Sequence, residues 1–163
     1  MRTTRRPLLA VKQRPHTPYR RILAPVDFSD HAAAAINAAN AWLPDADFVL
    51  LHAFESELES TFQLAGLSDS KIHEYRIQAR EAAQASMETF IGKLLVPSHR
   101  LSRQIVHGAA RSSILEHELS LDADLIVMGK HGQSVMKELL LGSVTQHVLA
   151  YSSSDVLVAG HPV

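Results

Sequence analysis

The feature that most constrains this chain is a repeated alternation between short apolar, β-branched runs and longer stretches with helical spacing. Arg21 to Val26, Phe48 to Ala53, Leu101 to Val106, Asp124 to Met128 and Asp155 to Ala159 read as strands, because each is short and rich in Val, Ile, Leu or Phe. Between the first two lies an alanine-rich helix, His31 to Leu43, capped by Ser29 or Asp30 and stopped by Pro44-Asp45. An acidic segment around Glu55, Glu57 and Glu59 reads as loop. A long helix then runs from Asp69 to about Leu95, with Ile72, Tyr75, Ile77, Ala79, Ala83, Met87, Phe90 and Leu94 near helical spacing. Ala110 to Leu121 and Ser143 to about Tyr151 are the remaining helices. Strands that alternate with helices in this way demand right-handed crossovers, and so a mostly parallel sheet with helices on both faces. The expected class is α/β: a three-layer, open, five-stranded sheet.

In such a sheet, ligands bind beyond the carboxyl ends of the strands, where the strand order reverses. For five strands wound from the middle, that point lies between strands one and four. Strand one ends in Pro25-Val26-Asp27 and strand four in Met128-Gly129. The second of these ends opens a glycine pattern, Gly129, Gly132 and Gly142 followed by Ser143, with two and nine residues in the gaps. Glycine leaves no Cβ in the way and tolerates positive φ, so backbone N–H groups can approach an anion closely. Ser143 and Thr145 then open a helix whose first-turn N–H groups and positive dipole end favour phosphate. The competing reading is that these are turn and cap residues with no ligand. No Walker A sequence and no G-x-G-x-x-G are present, which excludes two familiar nucleotide loops.

At 163 residues the chain has the size of one domain. It contains no cysteine, which excludes disulfides, thiol catalysis and zinc–thiolate sites and suits a reducing, cytoplasmic setting. Net charge is near neutral, yet residues 1–21 carry seven basic side chains, Arg2, Arg5, Arg6, Lys12, Arg14, Arg20 and Arg21, with no acid. A basic arm is able to bind nucleic acid. With three prolines, however, residues 1–18 read first as a solvated, flexible extension preceding a domain of residues 19–163. Pro7 to Val11 is too short for the apolar region of a twin-arginine signal, and no stretch is long enough to span a bilayer.

Ile22-Leu23-Ala24-Pro25-Val26-Asp27-Phe28-Ser29, Leu50-Leu51-His52-Ala53, Asp124 to Gly129 and the glycine pattern together resemble the nucleotide-binding branch of the universal stress protein family, from Tyr19 to the end of the chain. The resemblance implies strand order 3-2-1-4-5, a homodimer, and ATP (or ADP or AMP) in the crevice named above. It implies Asp27 and Gly129 near the ribose, and the backbone of Val26, with Pro25 and the Leu51-His52 end of the second strand, near the adenine. Gly132, Gly142, Ser143, Val144 and Thr145 would lie around the phosphates, with Met128 at the strand end; Lys130 and His131 occupy loop positions that vary in the family and are further candidates for phosphate contact. Mg or Mn would be held mainly by the nucleotide, with Asp27 or Ser143 as protein ligands.

Residue chemistry bounds the activity. None of the ten histidines stands in an H-E-x-x-H arrangement, and no G-x-S-x-G elbow occurs. Arg111 is the nearest arginine by topology to a transferring phosphate, so turnover is expected to be slow at most. The last strand, apolar on both faces and at a sheet edge, invites cover by a symmetric partner strand, with the N-terminal arm or the C-terminal tail as the alternative. Three functions follow: a nucleotide-responsive regulatory dimer in stress response, a slow Mg-dependent ATPase using Asp27, and a dimeric interaction module that binds no nucleotide. Nucleic-acid binding rests on the arm alone.

Overall fold

The computed structural model describes residues 7–14, 18–54, 68–130 and 141–159. Its strands are β1 (Leu8–Ala10), β2 (Arg21–Pro25), β3 (Asp47–Phe54), β4 (Leu101–His107), β5 (Leu125–Gly129) and β6 (Asp155–Ala159). Its helices are α1 (Asp30–Trp42), α2 (Asp69–Ile91), α3 (Ala110–Ser120) and α4 (Ser143–Tyr151). The sheet order is β1-β6-β5-β2-β3-β4, parallel throughout except for the β1 and β6 pair. From β2 onward this is the expected 3-2-1-4-5 winding.

Period-two alternation on the central strands divides the core into two layers. Ile22, Ala24, Phe48, Leu50, Leu125, Val127 and Leu157 face α1 and α2, where Ile36, Ala39, Met87 and Phe90 meet them. Leu23, Leu51, Ile126, Met128, Val156 and Val158 face α3 and α4, where Ile114 and Val148 close the second layer. Alanine dominates α1 because its buried residues, Ala32, Ala33, Ala35 and Ala39, let that helix lie close against the sheet. No described helix is long and apolar enough to cross a membrane.

Three expectations change. The long helix ends at Ile91 and not near Leu95: Gly92 is its C-cap, and its N–H returns to the Glu88 carbonyl. The sheet has six strands where five were expected, because residues 8–10 of the arm form β1. The last strand is therefore not an edge: Leu8, Leu9 and Ala10 lie antiparallel along Val158, Leu157 and Val156, so the arm fills the position expected for a symmetric partner strand. The physical cause is the neighbouring strand: β6 is buried on both faces and leaves one row of backbone groups to be paired. The acidic segment at Glu55, Glu57 and Glu59 lies outside the described residues.

Candidate functional site

Strands β2, β3 and β5 end side by side, and their carboxyl ends, with the first turns of α3 and α4, surround a cleft of about 230 Å³. Pro25, Val26 and Asp27 enter it from β2, Leu51, His52 and Ala53 from β3, and Met128 and Gly129 from β5. Gly142, Ser143, Val144 and Thr145 form the wall at the start of α4, and Ala110 and Ile114 that at the start of α3. Eleven of the residues singled out from sequence thus converge on one place. Lys130 is described but does not line the cleft, and His131 and Gly132 lie outside the described residues.

The β2 end is tightly bonded. The Val26 N–H donates to the Leu51 carbonyl at 2.9 Å, and His52 Nδ1–H donates to the Val26 carbonyl at 2.8 Å. That bond leaves His52 Nε2 as the ring's acceptor in the neutral form. The ring of Phe28 stacks on His52 with centroids 4.2 Å apart and meets Phe90 edge-on at 5.9 Å. Phe28 holds φ at 65°, a left-handed value that a bulky residue rarely adopts. Asp27 Oδ1 accepts from the Ser29 backbone N–H at 3.1 Å and from the Ser29 hydroxyl at 2.6 Å. Ser29 Oγ in turn caps α1 through the Ala32 N–H. Asp27 therefore braces the turn into α1 while its carboxylate lines the cleft.

The α4 wall differs from expectation in two respects. Gly142 has φ −58° and ψ 153°, which any residue adopts, so its use here is the missing side chain and not a positive φ. As N-cap it offers no side-chain acceptor, and the first residues of α4, Ser143 to Thr145, line the cleft. The Thr145 hydroxyl donates to the Gly129 carbonyl at 3.2 Å, tying α4 to the end of β5, and the Thr145 side chain is buried. Ser143 is exposed and lines the cleft at the start of α4. The Lys130 backbone holds the frame: its N–H donates to Ala159 and its carbonyl accepts from the Gly142 N–H.

The cleft is apolar along Leu51, Ile114, Met128 and Val144, and polar at Asp27 and the α4 terminus. That division suits a ligand with a flat or aliphatic body and an anionic tail. Among the described residues no cluster of three or more His, Cys, Asp or Glu stands ready to hold a metal ion, and exposed Arg111 does not line the cleft. Ala32, Ala53, Ala110, Ile114 and the strained Phe28 were missed from sequence. Residues 110–114 could have been found from topology, since strand β4 delivers α3 to the same sheet end.

A family model described as the universal stress protein family matches residues 18–160. The chain is 33% identical over 153 residues to universal stress protein MJ0577 of Methanocaldococcus jannaschii, covering 86% of this chain and 94% of that protein. The solved structure of MJ0577 superposes with a TM-score of 0.74 at 30% identity, covering 90% of this chain and 99% of that one. A universal stress protein crystallised in complex with cAMP shares the fold, with a TM-score of 0.53 at 23% identity over 88% of this chain and 98% of that one.

Proposed function

Because the chain belongs to the universal stress protein family, we propose that it is a cytoplasmic, ATP-binding regulatory protein whose cleft at the ends of β2, β3 and β5 holds the nucleotide. One observation carries this reading: the glycine–serine pair opening α4 meets Asp27, His52 and Gly129 around a single cleft. The base and sugar would lie against Val26, Leu51, Met128 and Ile114, with Asp27 at the ribose. The phosphates would lie across the first turn of α4, where N–H groups and the helix dipole favour negative charge. A volume of about 230 Å³, below the roughly 300–1,000 Å³ of enclosed ligand pockets, fits a nucleoside with its phosphates extending past Gly142. The fold-mate bound to cAMP supports adenine nucleotides as a class this fold can hold.

Magnesium or manganese would travel with the phosphates, with Asp27 or Ser143 as its candidate protein ligand. The reading is of binding and response, not rapid turnover: among the described residues Asp27 is the one carboxylate lining the cleft, and Ser29 engages it. A dimer through β6 would need the arm to leave that edge. Isothermal titration with ATP, ADP and AMP tests the proposal. Micromolar or tighter binding, weakened at least tenfold by Gly142→Val, is expected, and no heat with any nucleotide would reject it.

A further inference from the structure

Phe28 stands behind the cleft and does not line it, yet it touches two residues that do, Asp27 before it in the chain and His52 beside its ring. The turn that places Asp27 makes an unusual demand on this position. Asp27 Oδ1 accepts from the N–H of Ser29, two residues on, so the aspartate side chain stands in for a backbone carbonyl and Phe28 takes the next corner of the turn. A positive φ at such a corner favours glycine or asparagine, and Phe28 holds 65°. A bulky residue keeps that angle only where its surroundings over-determine it.

Two aromatic rings supply those surroundings. His52 stacks on Phe28 with centroids 4.2 Å apart, and Phe90 meets it edge-on at 5.9 Å; such pairs stabilise beyond the area they bury. The Phe28 ring is half-buried and also borders a hollow of about 330 Å³ beside Ser86, Thr89 and Lys93, so core filling alone does not place it. His52 is itself fixed. The ladder between β2 and β3 ends at the Pro25 and Leu51 pair, and beyond it the His52 Nδ1–H donates to the Val26 carbonyl at 2.8 Å, extending the pairing by a side chain. Strand β3 therefore holds both backbone groups of Val26, the stack holds Phe28, and Asp27 lies between two clamped neighbours. Loss of the stack frees the turn, and with it the direction of the Asp27 carboxylate.

We propose, resting on the reading of the cleft as a nucleotide site, that Phe28 and His52 are positioning residues: their stack holds the Asp27 carboxylate against the ribose hydroxyls and so sets the preference of the cleft for ribonucleotides over nucleotides without a sugar diol. Phe28 acts wholly through Asp27, because its ring does not reach the cleft. Its removal therefore costs selectivity for the sugar and leaves the binding of base and phosphates in place.

Isothermal titration of the full chain with ATP and with dideoxy-ATP, which lacks both sugar hydroxyls, isolates the sugar contact. Wild type is expected to prefer ATP by about tenfold or more, the effect of one hydrogen bond to a charged group. Asp27→Ala is expected to bring the two affinities within about twofold of each other. Phe28→Gly accepts the turn angle without the ring, and His52→Ala removes the stack from the other side. Each is expected to cut the preference to about threefold or less while dideoxy-ATP binds as it does to wild type. Phe28→Tyr, which keeps the ring, is expected to keep the preference, and adding Phe28→Gly to Asp27→Ala is expected to change it no further. A preference that survives in Phe28→Gly and His52→Ala overturns the proposal, as does equal weakening of both nucleotides, the mark of a merely structural role. Wild type that binds both nucleotides alike overturns it while leaving the cleft a nucleotide site, and wild type that binds neither removes that reading as well.

Discussion

Glu118 is the buried acid of α3, and its loss should weaken this fold more than loss of any exposed ion pair. Its Oε1 accepts from the Ser154 N–H at 2.6 Å, the Ser153 N–H at 2.8 Å, and the hydroxyls of Ser153 and Ser152 at 2.9 and 3.1 Å. These bonds fix the turn between α4 and β6 and so the distance between the cleft helix and that strand. Glu118→Ala orphans the buried Ser154 N–H outright. Ser152 retains the Ser154 carbonyl as acceptor, and exposed Ser153 can turn to water. One fully lost charged hydrogen bond with its unsatisfied donor, plus a partial loss at Ser153, sums to about 2–4 kcal/mol. Glu118→Gln keeps an acceptor and should lose about 1 kcal/mol. For a chain of this size the alanine variant should melt about 5–12 °C lower. Urea unfolding followed by circular dichroism and by the single tryptophan, Trp42, measures both. An alanine variant within about 0.5 kcal/mol of wild type, the range of ordinary surface changes, would refute the assignment of Glu118 as the anchor of this turn.

Three further outcomes follow from the geometry. Burial, then the hydrogen bond and charge of Asp155, push the Tyr19 hydroxyl from 10.0 up to about 12. The unfolded chain therefore ionises first, and stability intact below pH 10 should fall as pH rises toward 12, a decline that Tyr19→Phe should lessen in urea titrations at pH 9 and 11. Burial alone would raise the carboxyl of Glu118, but hydrogen bonds from Ser154, Ser153 and Ser152 hold it below its ordinary value. Its contribution is present above the usual carboxylate range and lost as pH falls through the folded value, so the gap between wild type and Glu118→Gln should shrink in acid. At Phe28, held at φ 65°, glycine relieves left-handed strain that alanine keeps, so Phe28→Gly should be about 1 kcal/mol more stable than Phe28→Ala by urea unfolding.

Much of this architecture was legible in the residues because its determinants are local and periodic. The apolar runs at 22–26, 48–53, 125–128 and 155–159 announce strands buried on both faces, and the helices between them force the parallel winding. The strand order in turn brings Asp27 beside Gly129, so eleven of the cleft residues could be named beforehand. What escaped was nonlocal or conformational. Leu8-Leu9-Ala10 is too short, and too near proline and arginine, to read as a strand; it becomes one because β6 lies open beside it. The left-handed Phe28 leaves no trace in composition. The Thr145 hydroxyl looked like a phosphate donor, yet its helix position turns it to the Gly129 carbonyl. Gly142 looked like a residue needing positive φ, where the structure uses the absence of a side chain.

The most direct measurement is the nucleotide content of the purified chain: denature it, resolve the supernatant by ion exchange, and repeat with Gly142→Val, whose backbone angles valine can adopt. Adenine nucleotide is expected to be released from the wild type, or taken up from added ATP, and lost in a variant of unchanged melting temperature. A wild-type protein that carries none and ignores added ATP would contradict it.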